Sequence, residues 1–222
     1  MDAGLDLVYG RRPVAEAERG RRRVHRVWRA PETPAEELER LCGSPDHQGV
    51  VAEVDRYPYA DALALLEPAD GLLVALDQVQ DPRNLGAIAR SAEVAGATGL
   101  VVPERRAATV TPAAGKASAG AVEHLSISRA RNLADWLAAA KERGWWIWGA
   151  DAESGVAPWE ADLTGPLVLV LGGEGKGLRP RVAAACDGML AIPQRGRIGS
   201  LNVSAAAAAL LYEALRQRAG AA

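Results

Sequence analysis

Short apolar runs alternate with helical stretches from residue 72 onward, and this alternation constrains the fold more than any other feature. The apolar runs are LLVAL (72–76), GLVVP (99–103), HLSIS (124–128), WWIWGA (145–150), PLVLVLG (166–172) and MLAIP (189–193). The helical stretches are residues 84–96, 131–144 and 200–218. Strands that are apolar on both faces and separated by helices are typical of a parallel sheet covered on two sides. The sequence therefore predicts an α/β fold.

The first part of the chain has a different character. Pro31, Pro34 and Pro45, with Gly43, interrupt short elements there and exclude a long helix. We expect a small N-terminal module over residues 1–66 and one larger domain over residues 67–222.

The net charge of −2 conceals a basic N-terminal stretch. Its arginines are Arg11, Arg12, Arg19, Arg21, Arg22, Arg23, Arg26 and Arg29. A solvated helix face is the simplest explanation of such a run, and a surface that binds a polyanion is the alternative.

Cysteine and histidine usage argues against disulfides and metal sites. Cys42 and Cys186 lie far apart without a CxxC motif, and His25, His47 and His124 are isolated from one another. No apolar run approaches the length of a membrane span, and the first residues lack the apolar core of a secretory signal. We therefore expect a protein of the reducing cytoplasm that needs no metal.

The loop after the first apolar run is the first candidate for chemistry, because ligands bind at the carboxyl ends of parallel strands. In DQVQDPRNLGAIAR (77–90), Asp81 and Pro82 end the strand. Asn84 is suited to cap the following helix, Gly86 allows close packing, and Arg90 fits a solvated face. On its own, this loop requires no function.

The second candidate loop follows the run at 167–172 and is rich in glycine. Gly172, Gly173, Gly175 and Gly177 stand within six residues, with Glu174 and Lys176 between them. Such a loop can bring its backbone close to a ligand, although a tight turn is the alternative. The glycine spacing and the Gly177 that follows Lys176 disfavour a P-loop, and the loop lacks the context of a dinucleotide fingerprint.

The third candidate loop follows the run at 189–193. It carries Arg195, Arg197 and Gly199 and leads to Ser200 at the expected start of an alanine-rich helix. Ser200 fits an N-cap, and a helix N-terminus with a hydroxyl also suits a phosphate or carboxylate. The small side chains of the helix predict a close contact with another subunit or domain.

In this order and spacing the three segments resemble the motifs of the SpoU family of RNA ribose 2'-O-methyltransferases, part of the SPOUT class. The segments that carry this resemblance are DPRNLGAIARSAEVAG, LVLGGEGKGL and IPQRGRIGSLNVSAAAAALLYEALR. The resemblance covers about residues 70–218 and is greatest to the bacterial 23S rRNA guanosine-2'-O-methyltransferase branch. YGRRPVAEA and HQGVVAEV resemble the two ends of the N-terminal RNA-binding domain of that branch, and the stretch between Trp28 and Cys42 is shorter than in the family.

The resemblance implies a parallel sheet with a C-terminal trefoil knot, S-adenosylmethionine as cofactor and a homodimer. It implies cofactor binding by Gly172, Gly173, Gly177, Ile192 and Leu201. The matching catalytic and RNA-facing positions are Asn84, Arg90, Glu174, Ser200 and Asn202. Arg90 is expected to grip a phosphate and polarise the ribose hydroxyl, since an arginine stays protonated. The expected RNA-binding arginines are Arg11, Arg21, Arg22, Arg23, Arg195 and Arg197.

The expected activity is methyl transfer from S-adenosylmethionine to a ribose 2'-hydroxyl of structured RNA, with a 23S rRNA guanosine as first choice. A tRNA target, an rRNA methylation that confers antibiotic resistance, and a non-catalytic RNA-binding protein of the same fold are the alternatives.

Overall fold

A computed structural model describes residues 4–68, 70–173 and 177–221, the last without its side chain. The strands are β1 (Leu5–Tyr9), β2 (Val24–Arg29), β3 (Val50–Asp55), β4 (Leu72–Asp77), β5 (Gly99–Pro103), β6 (Ile127–Ala130), β7 (Trp146–Ala150), β8 (Leu167–Gly172) and β9 (Gly188–Leu190). The α-helices are α1 (Arg11–Arg19), α2 (Ala35–Cys42), α3 (Pro82–Val94), α4 (Pro112–Ala117), α5 (Leu133–Glu142), α6 (Pro180–Ala183) and α7 (Val203–Ala221).

The chain forms two compact units. The first contains the described residues up to Pro58, together with Pro82–Arg90 and Thr109–His124. The second contains the described parts of Tyr59–Asp81, Ser91–Ala108 and the chain from Leu125 onward. The predicted functional boundary near residue 66 stays a prediction.

The first unit is built on an antiparallel sheet of order β1-β3-β2. Because strand side chains alternate between the two faces, each face has its own apolar core. Val8 of β1 joins α1 on one face, and its neighbour Tyr9 joins α2 on the other. β1 and β2 were not predicted from the sequence.

A buried ion pair joins Arg22 to Glu123 within the first unit. The Nε of Arg22 donates to Glu123 at 2.9 Å, and its Nη2 also donates to this carboxylate. The two side chains are 4% and 1% exposed. A weaker contact of 3.4 Å joins Nη1 of Arg22 to Asp6. A charge buried this deeply is stable only when it is paired, so we interpret Arg22 as a structural residue.

The second unit contains a six-stranded sheet of order β6-β5-β4-β8-β7-β9, in which every pair of neighbours is parallel. β4 and β5 are buried along their whole length. Their residues pack with α5, whose first turn is capped by the Asn132 side chain, which accepts a hydrogen bond from Ala134 N at 3.1 Å. The predicted α/β class with a parallel sheet is confirmed.

Two helix starts differ from expectation. α3 begins at Pro82, so Asn84 lies inside its first turn and is not the N-cap. Proline is favoured at the first helical position because it has no N–H to leave unsatisfied, and its fixed φ suits a helix. α7 begins at Val203, and Asn202 caps it where Ser200 was expected to do so. Among the described helices, none combines the length and the apolar character needed to cross a membrane.

Candidate functional site

The carboxyl ends of β7, β8 and β9 lie side by side at one edge of the parallel sheet, because these strands are neighbours that run in the same direction. The loops that follow them therefore start next to one another. These loops cover residues 151–157, 173–179 and 191–202, with residues 174–176 outside the described part.

One cavity of about 970 Å³ is lined by all three loops. All five residues predicted to bind cofactor line it, namely Gly172, Gly173, Gly177, Ile192 and Leu201. Ser200 and Asn202 line it as well. The glycine-rich loop and the loop at 191–202 thus meet at one site. Its volume is within the usual range of small-molecule sites.

The glycine-rich loop returns close to its own start. Gly173 and Gly177 form an antiparallel bridge, and Gly177 has a φ of 59°. A Cβ added at Gly172 would overlap the Gly177 carbonyl and stand 2.7 Å from Leu178 N. A Cβ at Gly173 would stand 2.5 Å from the carbonyl oxygen of Gln78. Close backbone approach therefore requires glycine at both positions. The predicted catalytic residue Glu174 lies outside the described residues.

A buried carboxylate anchors the far end of this loop. Asp77, the last residue of β4, is fully buried and pairs in register with Gly172 of β8. Its Oδ2 accepts a hydrogen bond from Arg179 N at 2.8 Å, and its Oδ1 lies 2.7 Å from both Nε and Nη2 of Arg179. The chain is thus held before the loop by β8 and after it by Asp77. The contact between Asp77 and Arg179 was not predicted from the sequence.

The loop at 191–202 is held by local polar contacts. The Nε2 of Gln194 donates to the Ile192 carbonyl at 3.0 Å. The Oδ1 of Asn202 accepts from the backbone N of Ser204 at 2.8 Å and from its hydroxyl at 2.6 Å. Leu201, which directly precedes Asn202, remains 45% exposed. An apolar side chain that lines a cavity without being covered is available to a ligand.

The loop after β7 contributes two acidic residues to the described part of the cavity lining, Asp151 and Glu153, and neither was predicted from the sequence. The Asp151 carboxylate accepts hydrogen bonds from the backbone N of Glu153 at 2.8 Å and of Ser154 at 3.4 Å. The hydrogen bond from Glu153 is the main reason that the pKa of Asp151 is lowered. The signal was present, since DAESG directly follows the predicted strand WWIWGA. A negative rim suits a cationic ligand.

Asn84, Gly86 and Arg90 of the first motif belong to the first unit. Asn84 is partly buried and Arg90 is exposed. A Cβ on Gly86 would overlap the carbonyl of Ala114 and stand 2.8 Å from Cβ of Ala117, so α3 and α4 are in backbone contact. The expectation of close packing at Gly86 is confirmed.

Five of the six predicted RNA-binding arginines are exposed, namely Arg11, Arg21, Arg23, Arg195 and Arg197. The prediction that Arg22 binds RNA is corrected, because its guanidinium is buried against Glu123 and is not exposed to a ligand on the surface. In the described part of the chain, no group of three His, Cys, Asp or Glu side chains is placed to hold a metal ion.

Comparison with known proteins decides the family. The family model described as "SpoU rRNA Methylase family" matches residues 71–212. The chain belongs to the SpoU rRNA methylase family. A TrmH family tRNA/rRNA methyltransferase of Bacillus subtilis is 37% identical over 98% of this chain and 98% of its own length. The 23S rRNA (guanosine-2'-O-)-methyltransferase RlmB of Pseudomonas syringae pv. tomato is 43% identical over 78% of this chain and 71% of its own length.

A solved structure supports the same conclusion. The SpoU methyltransferase AviRb of Streptomyces viridochromogenes, in complex with AdoMet, matches with a TM-score of 0.81 and 31% identity. The match covers 97% of this chain and 91% of AviRb. Several other relatives are longer, and this SpoU methylase spans only 61% to 63% of their length. The predicted family, the SPOUT-type sheet and the class of S-adenosylmethionine-dependent RNA methyltransferase are confirmed. The trefoil knot stays a prediction.

Proposed function

We propose that this SpoU methylase transfers a methyl group from S-adenosylmethionine to a ribose 2'-hydroxyl of structured RNA, with a guanosine of 23S rRNA as its target. The observation that carries the proposal is the single cavity lined by the loops after β7, β8 and β9. The choice of 23S rRNA is supported by the activity for which the Pseudomonas relative is named. A tRNA target is the second candidate, because the Bacillus relative is named for both RNAs.

The cavity fits the cofactor in size and in chemistry. S-adenosylmethionine supplies an electrophilic methyl group on a positively charged sulfur. The carboxylates of Asp151 and Glu153 suit that positive charge, and the exposed side chain of Leu201 suits an apolar part of the molecule. We assign cofactor binding to Gly172, Gly173, Gly177, Ile192 and Leu201, as the family motifs imply.

The residues of the chain then have to position the ribose and manage its proton. We assign to Arg90 the grip on a phosphate next to the target ribose and the polarisation of the 2'-hydroxyl. An arginine side chain remains protonated, so it donates hydrogen bonds and does not accept the proton. Bound S-adenosylmethionine would supply its methyl group to the 2'-oxygen and leave as S-adenosylhomocysteine, and the gripped phosphate would accept the hydroxyl proton. Accurate positioning supplies a large share of the acceleration.

Ser200 and Asn202 stand where the third loop enters α7. The Oδ1 of Asn202 accepts hydrogen bonds from the backbone N and the hydroxyl of Ser204. The Ser200 hydroxyl is exposed. We assign both to binding of a substrate phosphate, together with the first amides of α7. Glu174 retains its proposed catalytic role on the strength of the motif alone.

RNA binding is assigned to the exposed arginines only. Arg11, Arg21 and Arg23 provide the N-terminal set, and Arg195 and Arg197 flank the cavity loop. We keep residues 1–66 as the RNA-binding module and residues 67–222 as the catalytic domain. RNA affinity supplied by arginine–phosphate contacts should weaken as salt rises, because bound counterions are released.

A second copy of the chain is the proposed protein partner. Ala205, Ala209, Tyr212 and Leu215 recur at helical spacing on the exposed side of α7. Small residues allow another backbone to approach closely, and the exposed Tyr212 and Leu215 provide apolar area to bury. This face supports the homodimer that the family resemblance implies. The unpaired Cys42 and Cys186 support a reducing compartment, the cytoplasm.

Transfer of a labelled methyl group tests the proposal. The protein is incubated with S-adenosylmethionine labelled in the methyl group and with rRNA or tRNA from cells that lack it. Labelled 2'-O-methylguanosine in 23S rRNA is the expected product. Arg90→Ala should abolish turnover and leave cofactor binding nearly intact, whereas Arg40→Ala, at an exposed position on α2, should retain activity. RNA binding without any methyl transfer would favour the non-catalytic alternative.

A further inference from the structure

Lys116 has a surrounding that neither the motifs nor the proposed mechanism explains. It lies on α4, and its side chain reaches the turn between β1 and α1. Its Nζ is 6.0 Å from the centre of the Tyr9 ring. A Cβ added at Gly10 would stand 2.7 Å from this Nζ and 3.3 Å from Oε1 of Gln48. The ammonium group therefore lies against the backbone of the turn.

The positive charge of Lys116 has no ion-pair partner among the described residues. The negative charge of Asp46 acts on it over a longer range. Burial lowers the pKa of Lys116, and Asp46 offsets this effect only in part. Lys141 differs from Lys116 in this respect, since its Nζ forms an ion pair of 2.7 Å with Asp187. A partly buried cation without a direct ion-pair partner is suited to an external anion.

A second cation stands beside it. The backbone N of Arg11 donates to Oε1 of Gln48 at 3.1 Å, and its Nε donates to the Gln48 carbonyl at 3.3 Å. Gln48 thus touches Arg11 directly and lies next to the position of the Lys116 amine. The guanidinium of Arg11 is exposed. Two cations around one neutral amide form a cluster that can hold one phosphate.

The helix of the first motif is packed on the element that carries Lys116. Gly86 of α3 is in contact with α4, as described above. Arg90 follows Gly86 by one helical turn, so both residues project from the same side of α3. Within the first unit, the side of α3 that bears Arg90 is therefore the side that meets the helix of Lys116.

We propose that Lys116 and Arg11 together bind a backbone phosphate of the substrate RNA, at a site bordered by Tyr9, Gly10 and Gln48. This inference rests on the proposed function, because it takes RNA as the substrate. It adds Lys116 to the RNA-binding residues and gives Arg11 a specific task. A phosphate contact of this kind positions RNA and carries no base specificity.

The test compares salt dependence of RNA binding among charge-matched variants. Fluorescence anisotropy with a fluorescein-labelled RNA hairpin of mixed sequence gives the dissociation constant over a series of KCl concentrations. Lys116→Gln should weaken binding about tenfold, because one charged contact is lost. The slope of log K against log[KCl] should become shallower by about 0.7 to 0.9, since one phosphate contact fewer releases counterions. Lys116→Arg should keep the slope of the wild type.

Two further variants separate the site from a general loss of charge or of folding. Arg11→Gln, at an exposed position, should reduce the slope as Lys116→Gln does. Lys141→Gln removes the same charge elsewhere and should leave the slope unchanged. A wild-type slope in Lys116→Gln, or an equal loss in Lys141→Gln, would overturn the inference. That result would leave methyl transfer intact, whereas absence of methyl transfer by the wild type would count against the proposed function itself.

Discussion

Arg179 encloses the buried carboxylate of Asp77 with its backbone N and with two guanidinium nitrogens, across 102 residues of sequence. Asp77 ends β4, and Arg179 directly precedes α6. The carboxylate thus fixes the point at which the glycine-rich loop rejoins regular structure. We therefore expect cofactor binding and the stability of this sheet edge to be linked.

Asp77→Asn should lower the free energy of unfolding by about 2 kcal/mol, because a charged hydrogen-bond acceptor is replaced by a neutral one that also presents donors to Arg179. Urea unfolding measures the change. Asp135→Asn is the matched control, since its ion pair with Arg181 is exposed on both sides and should contribute less than about 0.5 kcal/mol. Equal losses in the two variants would show that Asp77 has no special part in anchoring the loop.

Glu123→Ala should destabilise the protein by about 3 kcal/mol, because it removes the buried carboxylate that pairs with Arg22 and leaves the more distant Asp6 as the charged partner. The double variant Arg22→Met with Glu123→Leu removes both charges and should recover most of this loss. Thermal and urea unfolding measure both effects. RNA binding that falls in the double variant, with stability recovered, would return Arg22 to the RNA-binding residues.

Cys186 should resist alkylation in the folded protein. Burial, followed by the nearby charge of Asp187, raises the pKa of its thiol to about 12. The reactive thiolate is then about one part in ten thousand at pH 8. Mass spectrometry after treatment with iodoacetamide at pH 8 should find Cys186 unmodified in native protein and modified in urea. Equal rates in both states would contradict the burial of this thiol.

The parallel sheet was predictable because its strands carry their own signal. β5 occupies residues 99–103 as predicted. Its five successive residues are apolar and buried, so the strand is visible in the sequence as a continuous apolar run. β1 and β2 were missed because polar residues interrupt their sequences, LDLVY and VHRVWR, and because their pairing with β3 depends on distant residues. The start of α7 was misplaced by a few residues because Ser200 and Asn202 are both good capping residues. Only the observed contacts of Asn202 with Ser204 decide between them.

The candidate site was predictable in its loops and not in its supports. Glycines that cluster after a buried strand indicate a loop that can approach a ligand, with a tight turn as the alternative. No local sequence pattern indicates the Asp77–Arg179 pair. The two residues are far apart in sequence and come together only because β4 and β8 are neighbours in the sheet. Lys116 was also missed, since a single lysine on a short helix has no distinctive sequence surroundings.

Calorimetric titration with S-adenosylmethionine tests most directly whether the cavity at the carboxyl ends of β7, β8 and β9 is the cofactor site. The wild type should bind one equivalent per chain. Gly172→Ala should weaken binding by at least about tenfold, because its Cβ forces the Gly177 backbone out of the loop. Gly220→Ala, where an added Cβ meets no atom within 4 Å, should bind as the wild type does. No binding by the wild type, or unchanged binding by Gly172→Ala, would contradict the assignment of the cavity.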